Sequence, residues 1–122
     1  MTLISAIASL LFCALNLQSA SVEALYEQAL GHYRAKDYAA AVAAASQAVK
    51  QDANNAACHH IYGLSLAAVE RYSEAEDHLK RAIALKPNVS DYYRWRALAY
   101  AFKGQHSLAI IDFNRAITSW PK

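Results

Sequence analysis

The chain has 122 residues, a formal net charge of +2 and a hydrophobic content of 56%, much of it alanine. That length suits one domain, the alanine-rich composition does not imply a membrane protein, and so small a charge gives no general case for nucleic acid. The positive excess sits in residues 90–122, which hold five Lys/Arg against two Asp/Glu. Two cysteines, Cys13 and Cys58, are too few for a disulfide framework, and Cys58 reads as an inert buried thiol.

Residues 1–22 carry no charged side chain, and residues 3–17 are apolar apart from Ser5, Ser9 and Asn16. Such a run is long enough for the core of an export signal and marginal for a membrane span. Against a standard signal, no Lys or Arg stands in the first residues, and a cut after Ala20 puts Gln18 at the third position back. Leu11-Phe12-Cys13 matches a lipoprotein box poorly, because Phe12 is too large for its place. The leading expectation for residues 1–21 is an export signal or membrane anchor, which puts the protein in the periplasm, outside the cell or on a membrane. The alternatives are an apolar helix packed on the first repeat unit, in a cytoplasmic protein, or part of a longer reading frame.

Helical spacing of small and apolar residues then runs through the rest of the chain. A first helix is expected over residues 22–35, with Ser21 as its cap and Glu23 near the positive end of its dipole. The second, residues 38–51, is so rich in alanine that it favours helix yet fills little volume, and Asn54-Asn55 supplies the next turn. Helices follow over residues 56–70 and 73–86. Ser73 with Glu76 forms a capping-box pattern, and Pro87 stops the helix at Lys86. Ser90 is expected to cap the fifth helix, with Tyr93, Ala97 and Tyr100 in its core and Gly104 at its end. His106 begins the sixth, whose apolar stripe is Ile110, Phe113 and Ile117.

These helices repeat. Ala75 and Ala82 recur at a spacing of 34 as Ala41 and Ala48 before them, and as Ala109 and Ala116 after them. Gly63 matches Ala29 and Ala97, Tyr72 matches Tyr38 and His106, and Ile83 matches Val49 and Ile117. Short side chains at Gly63, Ala75 and Ala82 let two helices approach, while Leu66 and Leu79 fill the space between. On Gly63, Leu66, Tyr72, Ala75, Leu79, Ala82 and Pro87 the chain resembles the tetratricopeptide repeat family. The resemblance implies an all-α fold: a right-handed superhelical solenoid of three helix-turn-helix repeats, preceded by an apolar N-terminal helix. The domain would span residues 22–122, with repeats at 22–55, 56–89 and 90–122. Departures are few: Ala53 replaces the usual proline, and Gln28 and His32 occupy places more often apolar.

The resemblance also implies a concave groove, lined by the first helix of each repeat, for a partner's peptide or helix. Carried over residue by residue, its lining is Tyr26, Leu30, Tyr33 and Arg34, then His60 and Leu64, then Arg94, Leu98 and Phe102. Glu23, Ala57, Ala67, Ala68, Asp91 and Ala101 take the remaining places. The competing reading makes Leu30, Leu64 and Leu98 plain core. Aromatic and arginine side chains are the usual interface anchors, Arg34 and Arg94 are expected to be available for an acidic group, and an amphipathic helix or apolar peptide suits such a floor. Some relatives grip a terminal carboxylate with Lys and Asn; here those places hold Tyr26, Leu30, Leu64, Asp91 and Trp95, so chaperone-tail binding is not expected.

The expected function is therefore a non-catalytic scaffold for a protein or peptide partner, with no cofactor, metal or nucleic acid. The alternative is an assembly protein, self-associating through an uncovered last repeat or attached to a membrane by residues 1–21. Family members usually end in a further polar helix, so the end near Ile110 and Ile117 is expected to form a homo-oligomer, receive a partner helix, or mark a truncated product. Cys58-His59-His60 cannot converge on one ion, because consecutive helical residues point about 100° apart. His59 falls on a core position, and His32 is the expected neighbour for a two-ligand site at most. Glu74, Glu76 and Asp77 read as one solvated helix face, and no catalytic constellation is present.

Overall fold

Ser21 starts the first helix by accepting, through Oγ, a hydrogen bond from the Ala24 N–H at 3.1 Å. The structure is a computed structural model describing residues 20–118. The expected signal or anchor segment lies outside the described residues except for Ala20 and Ser21, and Trp120-Pro121-Lys122 lies outside them entirely. Six helices are described and no strand: α1 Val22–Arg34, α2 Tyr38–Gln51, α3 Ala56–Ala68, α4 Tyr72–Leu85, α5 Ser90–Phe102 and α6 His106–Thr118. Among them none is long and apolar enough to cross a membrane.

The turn inside each helix pair uses one backbone device. Lys36, Glu70 and Gly104 take φ of 63°, 65° and 80°, and they stand 34 residues apart. Left-handed backbone reverses the chain tightly; only at Gly104 is the residue without a Cβ to oppose it. Between pairs, Asn55 caps α3, its Oδ1 accepting from the Cys58 N–H at 3.2 Å.

Two expected caps are not made. Helix α4 begins at Tyr72 with Arg71 at its cap position and no side-chain cap bond. Ser73 is thus inside the first turn, out of reach of a capping box, and Glu74 receives both arms of the Arg71 guanidinium at 2.9 and 2.6 Å. Likewise α5 takes in Ser90 as its first residue, leaving Val89 at the cap.

Each helix packs on the next, α1 also touches α3, and α3 touches α5, whereas the even-numbered helices do not meet one another. The odd-numbered helices therefore line the inner side of the stack and the even-numbered ones its outside. Close approach rests on the repeated small residues: Ala41, Ala48, Ala75 and Ala82 are fully buried, and Ala109 and Ala116 nearly so. A Cβ built on Gly63 would lie 2.8 Å from Leu79 Cγ, so that crossing has no room for one.

Charge enters this core where alternation alone does not foretell it. Glu76 is not on a solvated face: it is buried, with one oxygen 2.7 Å from Lys80 Nζ and the other 2.9 Å from Lys103 Nζ. Its place matches Val42 and Ile110 in the neighbouring repeats, so it looks toward the next helix pair, while Glu74 and Asp77 are exposed. In α6 the buried residues are Ala109, Asp112 and Ala116. Of the expected apolar stripe, Phe113 is half-buried, while Ile110 and Ile117, the residues expected at an uncovered end, are 60% and 72% exposed. Asp112 takes the inward place because Arg96 of α5 meets it with two bonds, at 2.6 and 2.8 Å.

Candidate functional site: the concave face

Tyr33, Leu64 and Leu98 come from three different helices and converge. They border a pocket of about 110 Å³ on the inner side of the stack, with Ala67 and Ala68 at its base and Trp95 and Phe102 on the α5 side. Tyr72 closes the rim. Of the residues carried over from the resemblance, six meet here: Tyr33, Leu64, Ala67, Ala68, Leu98 and Phe102. Leu64 is nearly buried, so it is floor as well as core, whereas Phe102 is 67% exposed. The Phe102 ring is not adrift. It stacks on Tyr72 with centroids 4.9 Å apart and planes 6° apart. Tyr33 is held by an edge contact with Tyr38 at 5.4 Å.

The other candidates lie outside this pocket. Tyr26 and Leu30 are half-buried against Ala29, Ala44, Ala45 and Ile61. Arg34 is exposed at the end of α1. Arg94 pairs with Asp91 at 3.3 Å, lies over Trp95 at 5.6 Å, and lines a different pocket, at the α6 end of the stack. The sequence does not place Trp95 and Tyr72 in the groove; Trp95 is visible there only as a residue that spoils a carboxylate clamp. A stacked pair such as Tyr72–Phe102, bridging repeats, has no signal within a single repeat.

His60 is further in than a groove residue need be. Its ring lies against Tyr92 at 4.8 Å, and its Nε2 is buried with no protein partner. Burial lowers its pKa from the ordinary 6.5 to about 4; Asp91 opposes the shift and Arg94 adds to it. An unfolded chain would take up this proton first as pH falls, so stability is unaffected above about pH 6.5 and is lost between there and about pH 4. At pH 5 the loss should approach about 2 kcal/mol, His78 adding in the same direction. Urea melts at pH 7.5 and 5 measure it, and His60→Leu should shrink the difference between them. If the variant loses as much stability on acidification as the wild type, His60 is not the source.

His59 is in the core, as expected, but its neighbour is His78 rather than His32. Its Nε2–H donates to the Ala53 carbonyl at 2.8 Å, and its Nδ1 lies 3.1 Å from His78 Nδ1. With Nε2 donating, a neutral His59 accepts at Nδ1 from His78. That satisfies the pair by hydrogen bonds alone, and among the described residues no third ligand makes a metal cluster. Cys58 is free and buried, and burial pushes its thiol pKa up, away from reactive thiolate.

A family model described as "Anaphase-promoting complex, cyclosome, subunit 3" matches residues 5–82, and one described as "Tetratricopeptide repeat" matches residues 63–122. No curated protein matches the chain. Among solved structures, one of MamA is similar at 25% identity and a TM-score of 0.76, over 90% of this chain and 60% of that one. The Arabidopsis OM64 TPR domain is similar at 21% and 0.80, over 83% and 84%. The second TPR of Spaghetti (RPAP3), bound to the HSP90 peptide SRMEEVD, is similar at 20% and 0.79, over 88% and 99%. The MamA chains are longer, and this chain spans 58% of another of them.

Proposed function

The chain belongs to the tetratricopeptide repeat family, and we propose that it is a non-catalytic scaffold that binds a partner peptide or helix on its concave face. The observation that carries this reading is the three-helix pocket whose walls are Tyr33, Trp95 and Phe102 and whose floor is leucine and alanine. A volume of about 110 Å³ suits one aliphatic side chain of a partner, held between aromatic rings. Little on this face favours an acid-rich ligand. Arg94 is paired with Asp91, exposed Arg34 stands at the end of α1 outside the pocket, and the places where relatives carry a carboxylate clamp hold Tyr26, Leu30, Leu64, Asp91 and Trp95. A segment like the SRMEEVD bound by the RPAP3 neighbour should therefore bind poorly here, and an apolar segment well.

The test is affinity capture from host extract, with the full chain as bait beside Tyr33→Ala/Phe102→Ala. Both side chains are on the inner face and neither is fully buried, so the variant should keep its helical circular dichroism. It should bind its captured partner at least tenfold more weakly, about 1.4 kcal/mol or more. Equal capture by both baits would place the working surface elsewhere.

A further inference from the structure

The α6 end of the stack carries a second open pocket, of about 390 Å³, lined by Ser90, Asp91, Arg94, Phe113, Ala116 and Ile117. The spacing of 34 identifies the same six places one repeat earlier as Ala56, Ala57, His60, Leu79, Ala82 and Ile83. There the socket is filled. Tyr92 of α5 clusters with Ala56 and Ala82, Ile83 and Val89 pack against it, and its ring lies on His60. One repeat earlier again, Cys58 occupies the corresponding place against Leu25 and Ala48, with Val49 beside it. Val49 and Ile83 are half-buried by the helix that comes after them, whereas Ile117 is 72% exposed. The molecule thus shows twice what closes such a socket: a helix laid across it with one side chain pointing in.

We propose that the α6 end docks an amphipathic helix of a protein partner, lying as α5 lies on α4 and presenting an aromatic or large aliphatic residue in the place of Tyr92. Size selects against a head-to-tail second copy. The residue that α1 would present at that place is Ala24, two spacings before Tyr92, and a methyl group leaves a pocket of this volume unfilled. This surface is separate from the concave pocket, with no lining residue in common, so either can fail without the other.

The probe is a fluorescein-labelled, hydrocarbon-stapled peptide with the sequence of residues 88–104, the helix that fills the preceding socket. Anisotropy titration with the full chain should show saturable micromolar binding. Binding should weaken at least tenfold when the peptide carries Tyr92→Ala, and again when the chain carries Ile117→Asp, an exposed site whose change leaves the helical signal intact. Absence of saturable binding would overturn the proposal. So would binding that is indifferent to Ile117→Asp, or lost with Tyr33→Ala/Phe102→Ala instead. A dimer in sedimentation that dissociates on Ile117→Asp would assign the surface to a second copy and equally overturn it.

Discussion

Replacing Arg96 by methionine is expected to destabilise the fold by about 3–5 kcal/mol, the cost of stranding one member of a buried ion pair. The Asp112 side chain is only 4% exposed and both its oxygens are taken by Arg96. Without the guanidinium, that carboxylate must remain charged in a poorly solvated site or take up a proton. The guanidinium itself is 16% exposed as a side chain and lies 5.7 Å over each of the Tyr93 and Tyr100 rings. Asp112→Leu should cost less, because Arg96 is nearer the surface and can turn toward water. The double variant Arg96→Met/Asp112→Leu should recover most of the loss, since neither charge is then left without a partner. Chemical denaturation of the four proteins decides it. A cost for Arg96→Met below about 1 kcal/mol would mean that the pair behaves as a solvated surface bridge.

That pair also marks where reading along the chain stops being informative. Short-range signals are legible: Ser21 and Asn54-Asn55 read as cap and turn, and residues 38–51 emerge as α2, Tyr38–Gln51. The 34-residue spacing of Gly63, Ala75 and Ala82 gives the helix pairing, because small residues at fixed offsets report a helix crossing directly. Ser73 and Ser90 mislead because capping depends on where the preceding turn leaves the chain, and a shift of one or two residues turns a cap into a helical residue. Glu76 and Asp112 mislead for a different reason. A carboxylate on a helix is solvated by default, and what overrides that default is a cation 27 residues away in one case and 16 in the other. The same limit applies at the candidate site. Tyr33, Leu64, Leu98 and Phe102 are carried over from the family resemblance, but the Tyr72–Phe102 stack depends on how one repeat sits on the next; the Arg94–Asp91 pair, by contrast, is local, three residues apart on α5.

Repeat packing itself is most sharply tested at Gly63. An added Cβ would lie 2.8 Å from Leu79 Cγ, 3.1 Å from its Cδ2 and 3.3 Å from the Ala75 carbonyl. Leu79 is fully buried and has nowhere to retreat. Gly63→Ala gains about 1 kcal/mol of helix propensity, yet overpacking of this kind costs about 1–3 kcal/mol, so a net loss of up to about 2 kcal/mol is expected. Leu79→Ala, which opens a cavity, should cost about 2–5 kcal/mol. The informative protein is the double variant. Places 63 and 79 correspond to Ala29 and Ala45 in the first repeat, both fully buried, and to Ala97 and Phe113 in the third. Gly63→Ala/Leu79→Ala therefore writes the first repeat's own pair into the second, and the new methyl enters space that the leucine has left. Gly63→Ala should be neutral or stabilising in the Leu79→Ala background while destabilising in the wild type, a coupling of at least about 1 kcal/mol. A strictly additive result would show that α3 and α4 separate to admit the methyl group. Such a separation would be felt beyond the core, because α3 supplies Leu64, Ala67 and Ala68 to the pocket between α1 and α5. The glycine that lets α3 settle onto α4 thus sets the depth of the floor on which a partner's side chain would rest.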